Sequence, residues 1–236
     1  MQRMLLAATI LTANLWAREF EVASVKAVDH PVAAHAVSLI INHERLNIDA
    51  AALRQIIGLA FAIQRVRVIG GPAWIDSDLY DIVAKADRPD VTRDEIREML
   101  QSLLAERFRL ATHRETRELP EYTLVAAKDG PKLTRAGEKD QTGIAPEGST
   151  GRVRFAFRKT SFVTLVNFLA NTLGSPVIDK SGVEAGEYNF TLEWTEDDSG
   201  PSLFKALQEQ LGLRLEAKKM PTEVLVIDHI EKAGAN

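Results

Sequence analysis

Two stretches of this 236-residue chain read as copies of one another, and no other feature limits its fold as tightly. The first runs Tyr80-Asp81-Ile82-Val83-Ala84-Lys85, then Leu103-Leu104-Ala105-Glu106-Arg107-Phe108-Arg109-Leu110, then Leu119-Pro120 into Tyr122-Thr123-Leu124-Val125. The second runs Tyr188-Asn189-Phe190-Thr191-Leu192-Glu193, then Ala206-Leu207-Gln208-Glu209-Gln210-Leu211-Gly212-Leu213, then Met220-Pro221 into Val224-Leu225-Val226-Ile227. The offset falls from 108 (Tyr80 to Tyr188) through 103 (Leu104 to Leu207) to 101 (Pro120 to Pro221), a drift that loop trimming accounts for. Such a repeat means two copies of one supersecondary unit, laid down in the same order.

Hydrophobic periodicity supplies the elements. Phe20–Lys26 and Ala36–Ile41 read as strands, the latter leading to Leu46-Asn47-Ile48. Asp49 is placed to cap a helix over residues 50–62, whose Leu53, Ile56, Ile57, Ala60 and Phe61 share a face. Val66–Ile69 is a short strand, Gly70-Gly71-Pro72 turns the chain, and Leu79–Ala86 resumes as a strand. Thr92-x-x-Glu95 has the form of a capping box ahead of the stripe Ile96, Met99, Leu100, Leu103, Leu104 and Phe108. Leu110–Glu115 and Glu121–Lys128 read as two strands joined hairpin-like through Leu119-Pro120. Residues 135–151 carry too little apolar surface to offset their ordering entropy and read as a flexible linker.

The second unit repeats this order: strand Val153–Phe157, a helix carrying Phe162, Leu165, Val166, Leu169 and Leu173, a short strand at Val177-Ile178, and strand Tyr188–Trp194. Asp198 or Ser199 then caps a helix with Leu203, Ala206, Leu207 and Leu211 on its buried side, and Gly212 stops it. Leu213–Ala217 and Glu223–Ile227 read as a closing hairpin. These spacings predict an α+β fold of two tandem β-α-β-β-α-β-β units, at 18–134 and 152–236, with helices packed on small mixed or antiparallel sheets.

Met1-Gln2-Arg3 followed by the apolar run Met4–Ala13 has the form of a secretory signal peptide over residues 1–17, too short to span a bilayer, and implies a periplasmic or secreted protein with no stable anchor. Cysteine is absent, which excludes disulfides, thiolate metal sites and thiol nucleophiles. The net charge of −4, with basic and acidic residues interleaved in His113-Arg114-Glu115-Thr116-Arg117-Glu118, argues against nucleic acid as a partner.

Two resemblances follow from these residues. The second unit, with Leu165-x3-Leu169, Pro176-Val177-Ile178 and Ala206-Leu207-x3-Leu211-Gly212-Leu213, resembles the short N-terminal periplasmic domain of secretins and TonB-dependent signalling receptors. Nearly the whole mature chain resembles an exported bacterial family, domain of unknown function 3738, of the soil Acidobacteria type. Phe20-Glu21-Val22-Ala23-Ser24-Val25-Lys26, Gly70-Gly71-Pro72-x-Trp74, Tyr80-Asp81-Ile82-x-Ala84-Lys85-Ala86, Leu103-Leu104-Ala105-Glu106-Arg107-Phe108, His113-Arg114-Glu115 and Val226-Ile227-Asp228-His229 carry that resemblance. It implies no activity; similar domains fused to sensor metallopeptidases of the BlaR type suit an extracytoplasmic sensing or binding role. The chain departs where the family has Asp-Lys-Thr-Gly-Leu and it has Asp179-Lys180-Ser181-Gly182-Val183. It also lacks the glycines common before Leu46.

Ser202-x-x-Lys205 with Lys180-Ser181-Gly182 mimics the elements of penicillin-recognising serine enzymes, but in reversed order, so a serine acylase or hydrolase stands as an alternative only. His30, His35, His43, His113 and His229 have no metal-ligand spacing, and Asp76, Asp78 and Asp81 lack the glycine and distal glutamate of a calcium loop. No metal or cofactor is expected. The binding candidates are two loops, Trp74, Asp76, Asp78 and Tyr80 in the first unit and Asp179, Lys180 and Tyr188 in the second, the alternative being that the aromatics fill the core. The sequence therefore predicts a non-catalytic, exported module that binds an envelope protein or small envelope ligand, with a structural subunit of a secretion or uptake complex as a further alternative.

Overall fold

A computed structural model describes residues 18–28, 38–42, 44–147, 152–195, 197 and 200–233. The expected signal segment, His30, His35, His43, Asp198 and Ser199 lie outside the described residues.

The first half builds a four-stranded sheet from β1 (Val22–Ala27), β2 (Ser38–Asn42), β3 (Arg45–Ala52) and β5 (Leu79–Lys85), in the order β1-β5-β3-β2. Alternation along β5 turns Tyr80, Ile82 and Ala84 inward, where α1 (Leu53–Ala60) and α3 (Arg93–Phe108) cover them. The capping box of α3 forms as the sequence predicts: Glu95 N donates to Thr92 Oγ1 at 3.2 Å and Thr92 N to Glu95 Oε2 at 2.8 Å. The backbone bond from Thr92 is the main cause that holds the Glu95 carboxyl down at about 2. Helix α1 is shorter than predicted and has no side-chain cap, because β3 stays paired with β5 as far as Ala52; Asp49 lies in that strand, opposite Ser38. The short strand β4 (Val68–Gly70) follows a 3-10 turn at Arg65–Arg67, and α2 (Trp74–Ser77) precedes β5.

The second half repeats the sheet with β7 (Thr134–Arg135), β8 (Gly143–Pro146), β9 (Val153–Ser161) and β11 (Glu187–Trp194), in the equivalent order β7-β11-β9-β8. Two of these strands fall in or against residues 135–151. That segment supplies edge strands, not a free linker, because polar residues suffice where only one side of a strand needs a partner. Helix α4 (Phe162–Leu173) shares the second core with α5 (Leu203–Ala206), which is capped by Ser202 and continues as a π turn over Leu207–Leu211. Each half therefore reads β-β-β-α-β-β-α-β rather than β-α-β-β-α-β-β, with α2 an addition in the first.

The predicted hairpins are absent. Residues 111–126 form one strand, β6, through Pro120, and residues 213–229 form one strand, β12, through Pro221. The two pair antiparallel along their whole length, Leu119 against Met220. The offset of 101 carries Leu119 onto Met220, so the local twofold relating the halves passes through that pair. Beyond it each strand crosses into the other half: β6 pairs with β10 (Val177–Asp179) and delivers Leu124 to the second core, while β12 pairs with β4 and delivers Leu225 and Ile227 to the first. The spans 18–134 and 152–236 thus do not close their cores separately. Gln64 adds a second tie, donating to Val177 O at 2.7 Å and accepting from Val177 N at 3.1 Å.

Candidate functional site

The residues predicted to bind are divided between the two cores, and most are engaged within the chain. Asp76 receives two hydrogen bonds from Arg54 Nε and one from Arg54 Nη2, at 2.8–3.0 Å, and lies 3.4 Å from Arg65. The Arg54 hydrogen bond is the main reason its carboxyl sits below the ordinary value. Asp78 accepts from Lys232 at 2.6 Å, and the same ammonium stands 5.5 Å above the half-buried Trp74 ring. Tyr80 is buried edge-on against Phe108, with centroids 5.0 Å apart, and burial pushes its hydroxyl up.

In the second half, Asp179 closes an Asx turn, accepting from Ser181 N at 2.8 Å and Ser181 Oγ at 2.7 Å. Lys180 gives its backbone N–H to Leu124 O, and buried Tyr188 donates to Glu184 O at 2.9 Å beneath the Arg135 guanidinium. Ser181, at the departure from the resembling family, therefore serves the turn. Ser202 Oγ accepts the Lys205 backbone N–H at 3.4 Å, and the Lys205 ammonium reaches Glu209 at 3.7 Å. Each group of this pair is thus occupied as a cap and an i,i+4 ion pair. His113 bonds Asp228, His229 bonds Glu231, and among the described residues no group of three or more potential ligands could hold a metal. No described helix is long and apolar enough to cross a membrane.

The Tyr-Asp and Tyr-Asn pairs of the repeat have a shared backbone task. In the first half β3 bulges at Ala50, which adopts a left-handed φ of 50°, and its N–H donates to Asp81 Oδ1 at 2.8 Å. In the second half Lys159 adopts φ 45° and its N–H donates to Asn189 Oδ1 at 2.8 Å. A carboxylate can only accept, whereas an amide also donates. Asn189 Nδ2 uses that capacity to bond Asp140, which also accepts from Gly137 N at 2.9 Å; Asn189 is the main cause of the lowered Asp140 carboxyl. Lys159 Nζ holds the same loop by donating to Glu138 O at 2.9 Å.

The loop pinned in this way, residues 136–142, roofs a cleft of about 660 Å³ lined by Thr134, Lys139, Asp140, Gln141 and Arg158, with Asn189 and Thr191 on β11. Arg158 is paired with Glu147 and Asp140 with Asn189. The side chains of Thr134, Lys139, Gln141 and Thr191 have no partner among the described residues and so offer two hydroxyls, an amide and an ammonium to an occupant. None of these four was singled out from sequence: Lys139 and Gln141 fall in the segment read as linker, Thr134 at its border, and Thr191 inside a strand read only for its buried face. The repeat held the signal: the 108-residue offset carries β1 and β2 to residues 130–135 and 146–150, close to β7 and β8.

The family described as "Protein of unknown function (DUF3738)" matches residues 54–230, and the chain belongs to it. The matched span runs from α1 to one residue beyond β12 and so contains the complete crossed ribbon. Nothing among curated proteins or solved structures matches the chain.

Proposed function

We propose that this chain is an exported, non-catalytic binding module of the cell envelope, and that it holds a small polar ligand bearing a carboxylate or phosphate in the cleft beneath residues 136–142. The observation that carries this reading is the use of Asn189: one amide fixes the β9 bulge and anchors the roof of the cleft, a task that Asp81 at the equivalent place cannot perform. A roof fixed before binding lowers the ordering cost that a ligand must offset. The volume lies within the range of small-molecule sites, and Lys139 is the one charged lining residue whose side chain has neither a hydrogen-bond nor an ion-pair partner among the described residues. Holding rather than transforming a ligand also fits Ser202 and Lys205, whose polar groups are engaged in a cap and an ion pair. Export rests on the apolar N-terminal run.

The test is a thermal-shift screen of the chain against phosphorylated sugars and carboxylate-bearing cell-wall fragments, followed by titration of Asn189→Asp and Lys139→Glu variants. Asn189→Asp keeps the acceptor for Lys159 N and removes the donor to Asp140, so the roof is released while the bulge survives. Each variant should weaken a true cleft ligand by about tenfold, the size of one charged hydrogen bond. Ligands whose affinity ignores both changes, or which protect only residues 70–80 from hydrogen exchange, would place the site elsewhere.

A further inference from the structure

The outer edge of β6 is open from Ala111 to Pro120, since β10 covers only Tyr122, Thr123 and Leu124 and no other described strand pairs there. His113, Arg114, Thr116, Arg117 and Glu118 are exposed, and Glu115 is half-buried. An open edge of this length is a template for another strand, and charged residues ordinarily discourage that addition. Here the charges have a pattern of their own. Arg114-Glu115-Thr116-Arg117-Glu118 is complementary to itself when read antiparallel. With Thr116 opposite Thr116 of a second molecule, Arg114 faces Glu118 on one side of the sheet and Glu115 faces Arg117 on the other, each pair occurring twice.

We infer that this edge pairs with the same edge of a second copy of the chain, giving a twofold dimer whose two ribbons form one continuous sheet. An isologous contact requires a self-complementary patch, which this five-residue run provides. The present partners of its arginines are exposed contacts, Arg114 with Glu223 and with Phe61 O at 3.3 Å, and Arg117 with Glu115, which contribute little and leave both free to re-pair. The equivalent open stretch of β12 is poorer: a register centred on Ala217 pairs Glu216 with Lys218 but sets Lys219 against Leu215. One edge of this length buries less than the roughly 1,200 Å² of a standard interface, so the dimer is weak and concentration-dependent.

The chain has no cysteine, so a single introduced thiol reports the twofold axis directly. Under mild oxidation Thr116→Cys should cross-link to a dimer and Ala217→Cys, on the opposite edge, should not. In sedimentation equilibrium, Arg117→Glu sets glutamate against glutamate twice and should raise the dimer dissociation constant at least about tenfold. The exchange Glu115→Arg with Arg117→Glu restores the pairs and should restore the dimer. A chain that stays monomeric at millimolar concentration overturns the inference. So does a dimer indifferent to Arg117→Glu, or one cross-linked through residue 217 and not 116, since its contact lies elsewhere.

Discussion

Arg109 and Gly212 close equivalent helices 103 residues apart, and both take the left-handed conformation, at φ 52° and 62°. Arg109 is exposed, so its side chain has room and only the backbone is strained. Gly212 is buried beneath the chain that enters the second sheet, and a Cβ there would lie 1.9 Å from Gly130 O. The Asp81 and Asn189 pair diverges in the same manner: one backbone task is kept, and the second copy adds a contact to the segment 136–142. What the halves share is backbone geometry, and they differ where the second half meets residues 127–147.

The crossed strands give the largest expected effect. Leu124 belongs to the first repeat and is buried in the second core, while Leu225 belongs to the second repeat and is buried in the first. Leu124→Ala and Leu225→Ala should each cost about 2–5 kcal/mol in urea unfolding. Hydrogen exchange should rise in α4 and β10 for Leu124→Ala and in α1 and α3 for Leu225→Ala. If each variant loosened its own repeat instead, the halves would be independent units after all.

Next in size is the helix stop. Gly212→Ala adds strain and a backbone clash, and should destabilise by about 1–3 kcal/mol. Arg109→Gly relieves strain at an open site and should stabilise by roughly 0.5–1 kcal/mol, less than the full left-handed penalty because glycine also loosens the unfolded chain. Equal responses at the two positions would mean that the contact with Gly130 does not decide the residue.

Much of this fold was legible because its signals are local. The capping box of Thr92 and Glu95, the α3 stripe and the alternation of Tyr188, Phe190, Leu192 and Trp194 need only neighbouring residues to be read. Pro120 and Pro221 misled for a physical reason. A proline usually breaks a strand, yet each of these has a partner on one side only, where an N–H pointing outward can be lost without breaking the ladder. The crossing of the halves depends on which strand pairs with which, and two hairpins or one long ribbon would have the same apolar pattern. The cleft was hidden further still. Asn189 looks like a conservative change from Asp81 until the bulge at Lys159 and the approach of Asp140 show what its amide donor reaches.

The ribbon offers a last contrast, set by pH. The 101-residue offset carries His113 onto Arg214. His113 Nδ1 lies 2.8 Å from Asp228 Oδ1, and Arg214 lies 2.6 Å from Glu216. The Asp228 hydrogen bond, opposed by desolvation and aided by the charges of Asp228 and Glu115, raises the His113 pKa above the ordinary 6.5. A histidine raised on folding stabilises fully below its unfolded value, and that contribution fades as pH climbs through the folded one. An arginine side chain carries its charge across this whole pH range. Raising the pH from 6 to 9 should therefore loosen the ribbon around Thr112 and Ile227 while leaving the region around Val125 and Arg214 unchanged, as measured by hydrogen exchange corrected for its intrinsic pH dependence. His113→Arg makes the two ends alike and should remove the difference; a loosening that persists in that variant does not come from His113.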